Sequence, residues 1–205
     1  LTRLRVMGLP ERRDEYWKFT RPDALTSVDV PTAAVLGTKE APVFSEMDAL
    51  RIVFNDGIFD AEASDDLAMA HVQISRLADS SSDIHWAAGL YGQLEANGQT
   101  PVARPLATLN TAFATDGVLI QVVGQAPKPI SLVYNHLDAA SEAILHHVIK
   151  LDPGAKLTVL EAGPAAARLN KVMEIDVADG AAFHHVRAQG RDHERCAATH
   201  IFARL

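Results

Sequence analysis

Asp116-Gly117-Val118-Leu119-Ile120-Gln121-Val122-Val123 is where the chain changes character. From here to Leu205 short β-type runs alternate with Gly and Pro turns. Gly154-Ala155-Lys156-Leu157-Thr158-Val159-Leu160 is a second such run, and Gly180-Ala181-Ala182-Phe183-His184-His185-Val186 a third. In each, an apolar residue stands three and six places after the Gly, and an Asp (Asp116, Asp152, Asp179) precedes it by one or two. The last two runs are 26 residues apart, and the same shift lays Ile149 on Ile175 and Leu151 on Val177. A period in the twenties with β character is what one coil of a solenoid needs, each coil burying its inner face only against its neighbours. The expected fold is therefore mainly β, entering a parallel β-helix at residue 116. An antiparallel sandwich with similar turns is the competing reading.

Upstream of Asp116 the pattern is mixed. Pro10 suits the start of a short helix over Glu11 to Trp17. Pro22, Pro31 and Pro42 then keep the chain extended or looped. Leu50-Arg51-Ile52-Val53-Phe54 reads as a strand, and Asn55-Asp56-Gly57 before Ile58-Phe59 is a hairpin signal. His71 to Leu77 alternates as a further strand. Ser80 to Asp83 can cap a helix carrying Ile84, Ala87, Ala88, Tyr91 and Leu94, which Gly98 ends. Pro105 to Ala114 is a second helix, with Leu106, Leu109 and Phe113 on one side. The expected division is an α/β region over 1–115 and the first β-helix coils over 116–205.

Composition narrows the function. Hydrophobic residues make up 48% of the 205 and charged ones 22%, enough for a folded core. The net charge is −7 with no Lys/Arg-rich block, which argues against nucleic acid as a partner. No stretch approaches the roughly 18 apolar residues of a spanning helix, so no membrane role is expected. Leu1 to Met7 lacks the apolar core of a signal peptide. The chain starts at Leu1 rather than Met, which points to a processed chain or a piece of a longer one. The single cysteine, Cys196, excludes an internal disulfide framework and a four-cysteine cluster site, and fits a reducing, cytoplasmic setting.

Several side chains are candidates for chemistry. His146-His147 and His184-His185 fall in strands, where neighbours point to opposite faces, so neither pair clamps one ion. Under the 26-residue shift His146 and His147 land on Val172 and Met173, so the pairs do not stack. One histidine of each pair is expected outward, the other packed. Cys196 has His193 three residues back, a pairing that can generate a thiolate. It opens the apolar run Cys196-Ala197-Ala198-Thr199-His200-Ile201-Phe202, so a small core thiol is expected instead. Glu161, Glu174 and Asp176 are scattered carboxylates whose spacing names no acid–base pair. Arg12, Arg13, Trp17 and Lys18 read as a solvated helix face. No residue is assigned as catalytic, cofactor-binding or metal-ligating.

Two stretches together carry a resemblance. Gly8-Leu9-Pro10-Glu11-Arg12-Arg13-Asp14-Glu15-Tyr16-Trp17-Lys18-Phe19-Thr20 resembles the amino-terminal signature of the D-type members of the SufB/SufD family of iron–sulfur cluster assembly proteins. Leu109-Asn110-Thr111-Ala112-Phe113-Ala114-Thr115-Asp116-Gly117 looks like that family's entry into its β-helix. Lys128-Pro129-Ile130 and Gly154 to Glu161 are also similar. The resemblance implies a right-handed parallel β-helix, a single-stranded solenoid, truncated here. It implies a non-catalytic scaffold component acting with SufB and the SufC ATPase, whose docking regions lie beyond residue 205. No cofactor is expected in this part; the full complex handles the iron–sulfur cluster. The alternative is a metal- or sugar-dependent enzyme on a β-solenoid or cupin-like barrel. A coil ending at Leu205 leaves a strand edge open, from which self-association is expected.

Overall fold

Among the described residues, ten strands form two five-stranded sheets. A computed structural model describes residues 1–11, 21–35, 43–79, 85–189 and 194–205. The helices are α1 (Thr2–Met7), α2 (Asp23–Thr26), α3 (His85–Ala88), α4 (Gln93–Asn97) and α5 (Pro105–Phe113). The strands are β1 (Leu50–Asn55), β2 (Ile58–Asp60), β3 (Val72–Arg76), β4 (Val118–Val122), β5 (Ile130–Asn135), β6 (Glu142–Leu151), β7 (Lys156–Ala162), β8 (Arg168–Val177), β9 (Ala182–Ala188) and β10 (Cys196–Arg204). One sheet has the order β2-β1-β5-β7-β9, the other β10-β8-β6-β4-β3.

From β4 onward, successive strands alternate between the two sheets, and every neighbouring pair within this part is parallel. The hairpin β1–β2 and the pair β3–β4 are antiparallel, so both sheets are mixed. Neither sheet is closed. The hairpin turn is the expected Asp56-Gly57, both with positive φ (48° and 81°), the signature that matches strand twist.

The 26-residue shift found in the sequence is the register of two strand pairs. Ile149 lies opposite Ile175 and Leu151 opposite Val177. Lys156 lies opposite Ala182. Elsewhere the shift differs, with Leu119 opposite Val148 and Cys196 opposite Arg168. The difference arises in the returns from one sheet to the other. Val133 pairs with Ala162 and Glu142 with Arg168, and the stretch from Val133 to Glu142 is longer than that from Ala162 to Arg168. The Gly117 run belongs to a different sheet from the other two, so it does not stack on them. The residue three places after each Gly points inward, as Ile120, Leu157 and Phe183 do. The residue six places on lies on the opposite face, because strand side chains alternate, and Val123 and Val186 are 52% and 48% exposed.

The main core fills the space between the sheets. Ile52, Ile120, Ile130, Leu132, Leu145, Ile149, Leu151 and Val159 are fully buried there. Each such side chain contributes about 1.5–3 kcal/mol on burial. The outer face of the β10-β8-β6-β4-β3 sheet is covered by the helical region. Ala87 and Leu90 pack with Leu119 and Val148, and Leu94 and Ala107 with Val172 and Phe202. Strands β6 and β8 are thus buried on both faces.

The helical region differs in detail from expectation. A single helix ending at Gly98 is instead α3 and α4, separated by a turn in which Gly92 adopts φ 71°. Gly98 does follow the last turn of α4. Helix α5 lies where expected, but Phe113 is 50% exposed while Thr108 and Asn110 are buried. The segment expected as a helix from Glu11 to Trp17 and the Ser80 to Asp83 cap lie outside the described residues, apart from Glu11. Two helices were not foreseen: α1, which ends at Gly8, and α2, which follows Pro22 where loop or extended chain was expected.

Gly163 occupies a return where only glycine fits. Its φ is 104°, and a Cβ there would run into the carbonyl oxygen of Tyr134. Gly163→Ala is expected to destabilise the chain by about 2 kcal/mol, read from the urea midpoint. An unchanged midpoint would show that this return relaxes freely.

Candidate functional site

Two buried polar networks hold five of the titratable groups that the sequence singles out: His146, His147, His185, Glu161 and Glu174. One lies between the sheets, the other beneath the helices.

The first network is centred on Glu161. Strand alternation turns Glu161 of β7 into the apolar interior, where a carboxylate needs partners. It has three. Tyr134 donates its hydroxyl to Oε1 at 2.7 Å. Lys171 of β8 pairs with the same oxygen from across the interior. His185 Nε2 donates to Oε2 at 2.7 Å. His147 completes the chain of bonds. Its Nδ1 accepts the Val118 N–H at 3.1 Å, so the proton of the neutral ring is inferred to sit on Nε2, which lies 3.0 Å from the Tyr134 hydroxyl. Proton donation then runs one way: Val118 to His147, His147 to Tyr134, Tyr134 to Glu161.

The electrostatics follow from these contacts. Burial pushes the Glu161 carboxyl up, but the His185 hydrogen bond and the Lys171 charge carry it well below the usual range. Burial lowers Lys171 to about 8, with Glu161 opposing. Burial, helped by the Lys171 charge, lowers His147 to about 3. Burial and the nearby Glu161 charge raise Tyr134 well above the phenol range.

The second network joins the helices to the sheet. Glu174 of β8 accepts the backbone N–H groups of Gly92 at 2.5 Å and Glu95 at 2.7 Å. It also lies 2.9 Å from His146 Nε2. His146 Nδ1 meets Asn110 Oδ1 at 2.9 Å, while the Asn110 amide donates to the carbonyls of Leu145 and Asn170. Both ring nitrogens of His146 therefore face oxygen acceptors. Tyr91 packs on the imidazole with centroids 4.2 Å apart. Glu95 accepts from Arg3, Thr108, Thr111 and Gln99. Burial raises its carboxyl, and these donors, Arg3 foremost, more than reverse that.

The expectation of one outward histidine per pair fails for His146-His147. Both are fully buried, because β6 is covered on one face by the opposite sheet and on the other by the helices. It describes His184-His185, where His184 is exposed and His185 half-buried. Glu161 and Glu174 are separated into different layers, and Asp176 pairs with Arg204 at the surface. These three carboxylates do not line a shared cleft. Cys196 is a free thiol, partly buried against Leu25, Leu106 and Ala198. His193, Arg12, Arg13, Trp17 and Lys18 lie outside the described residues.

Sequence reasoning missed Tyr134, Lys171, Asn110 and Glu95. Lys171 carried no signal: five of the ten residues of its run, Arg168, Asn170, Lys171, Glu174 and Asp176, are polar or charged, unlike the near-continuous apolar run of a strand buried on both faces. Among the described residues no group of three or more His, Cys, Asp or Glu is placed to hold a metal ion, and no helix is long and apolar enough to cross a membrane. Compared with known protein families and with curated protein sequences, the chain matches none.

Proposed function

We propose that this chain is part of a non-catalytic scaffold of the SufB/SufD type, acting in iron–sulfur cluster assembly with SufB-like and SufC-like partners. In this reading the alternating parallel strands are the first coils of a right-handed parallel β-helix. The supporting observation is the placement of the Leu109 to Gly117 stretch. It runs from within α5 to the residue before β4, the point where the alternation of parallel strands begins. Within it Asn110 clamps α5 to β6 and β8. Asp116 accepts from Arg76 at 2.8 Å and from the Gly117 N–H at 2.8 Å, which fixes the entry into β4. Both polar residues thus serve the joint between helix and sheet.

The buried networks fit a scaffold role. Glu161 and Glu174 each spend their oxygens on several internal donors, the use expected of groups that fix strand register rather than bind substrate. An enzyme on the same frame would need such groups turned toward a cleft.

The test is purification from the source cell, with the protein tagged at its own locus and otherwise unaltered. A SufB-type protein and an ATP-hydrolysing SufC-type subunit are expected to co-purify. Their absence at any salt concentration would overturn the reading. So would stoichiometric zinc or iron held by three or more side chains of this chain after purification.

A further inference from the structure

His146 fastens the helical region to the outer face of β6, and its surroundings decide how many protons it carries. The ring is fully buried, as are Asn110 and Glu174 on either side of it. Asn110 settles the first nitrogen. Its amide nitrogen donates to the carbonyls of Leu145 at 3.0 Å and Asn170 at 2.8 Å, so the carboxamide cannot be turned about. Its oxygen is therefore what faces His146 Nδ1 at 2.9 Å, and Nδ1 must carry a hydrogen to donate. Glu174 settles the second. Its two oxygens accept the N–H groups of Gly92 and Glu95, and Oε2 lies 2.9 Å from His146 Nε2. A neutral ring protonated on Nδ1 would turn the Nε2 lone pair toward a carboxylate. Only a proton between the two atoms makes that contact attractive.

Charge leads to the same count. Glu174 is a carboxylate removed from water, and the backbone donors it has are neutral amides. Around the pair stand Tyr91, stacked on the ring, Glu95 of α4, and Arg3 of α1, which is engaged with Glu95. Asp116, before β4, is paired with Arg76. His147, on the opposite face of β6, is bonded to Val118 and Tyr134. None of these groups gives Glu174 a countercharge; a doubly protonated His146 does.

We infer that His146 is an imidazolium in the folded chain at neutral pH, where a solvated imidazole is mostly neutral, and that its second proton is a latch that holds the helices on the sheet and opens as pH rises. Glu174 holds the turn at Gly92 and the first turn of α4 by their N–H groups. Loss of the proton sets a lone pair against that same carboxylate and loosens α3 and α4 first. Leu119 and Val148, the apolar side chains packed with Ala87 and Leu90, are the surface that this movement uncovers. The latch is independent of the family proposed above and would survive its failure.

Two measurements on the intact chain test the latch. Long-range proton–nitrogen NMR spectra at about pH 7 are expected to show both ring nitrogens of His146 as N–H groups, the resonances being assigned through their contact with the Tyr91 ring. A ring with one protonated nitrogen overturns the inference. The second measurement is hydrogen exchange at the Glu95 amide, corrected for the intrinsic base-catalysed rate. Its protection is expected to fall at least about tenfold between about pH 7 and 9. Tyr91, pushed up to about 12 by burial, keeps its proton over this range, whereas Lys171, lowered to about 8 by burial, does not. The fall is therefore expected unchanged in the double variant Glu161→Gln with Lys171→Met. Its disappearance there would assign the sensitivity to the network between the sheets and overturn the latch. Glu174→Gln presents a fixed N–H to the Nε2 lone pair and keeps an oxygen for the Glu95 amide. That variant is expected to hold the helices with no dependence on pH, and a tenfold fall retained in it counts equally against the latch. Should it fail to fold, the spectra of the unaltered chain still decide.

Discussion

Replacing Glu161 by Ala is expected to lower folding stability by about 3–5 kcal/mol, a large part of what a domain of this size possesses. The substitution leaves Lys171 without its counter-charge in a layer from which water is excluded, and removes the acceptor of Tyr134 and His185. Urea denaturation with linear extrapolation gives the change directly. The informative partner is the double substitution Glu161→Gln with Lys171→Met. Glutamine still accepts from Tyr134 through its one oxygen, its amide nitrogen can donate to His185 in the other ring tautomer, and methionine fills the lysine stem's volume without charge. The double variant is expected within about 1 kcal/mol of the parent, because exchanging a whole buried pair is often near neutral. A double variant as unstable as Glu161→Ala would mean that the pair's charge, and not the loss of one partner, holds the layer together.

Acidification is expected to destabilise the chain well before ordinary carboxylates titrate. An unfolded histidine takes up its proton near pH 6.5, whereas His147 in the folded chain resists until about pH 3. Between these values the unfolded state binds more protons, so stability rises with pH across that window and is lost as pH falls through it. The contribution is fully present above about pH 6.5. Its loss by pH 3 is roughly 4 kcal/mol. His200, lowered to about 4 by burial and by the Arg104 charge, acts in the same direction. Glu161, held below its usual range, adds a loss at the acid end of the window. The geometry gives the reason for His147: its Nδ1 already accepts the Val118 N–H, so a second ring proton would set donor against donor. His147→Gln keeps an acceptor for Val118 and a donor for Tyr134 but cannot titrate. It is expected to flatten the stability–pH slope between pH 6.5 and 3 by up to one proton. An unaltered slope in that variant would place the acid sensitivity elsewhere.

Much of the fold was legible because local rules govern it. The Asp56-Gly57 hairpin, the α5 span and the 26-residue register each follow from spacing alone. The register was found from Ile149, Ile175, Leu151 and Val177 because inward apolar positions repeat whenever successive strand-and-return units match in length. It holds for the pairs β6–β8 and β7–β9 only, because the returns between sheets vary in length and shift the period elsewhere. The polar networks were not legible. Glu161 and Lys171 sit ten residues apart with no recognisable spacing, and they meet across two sheets. His146-His147 misled for the same reason: alternation places the two rings on opposite faces, but not what covers each face.

The change at Asp116-Gly117, the strand-forming runs beyond it and the excess of apolar over charged residues were determined by the sequence alone, since each depends on neighbours a few residues apart. Which sheet each run joins, which histidines are buried, and which carboxylate meets which cation were decided only by the tertiary structure. Those outcomes depend on strands brought together from distant parts of the chain. In a low-dielectric interior it is the partner across the layer, more than the residue itself, that sets whether a charge is tolerated.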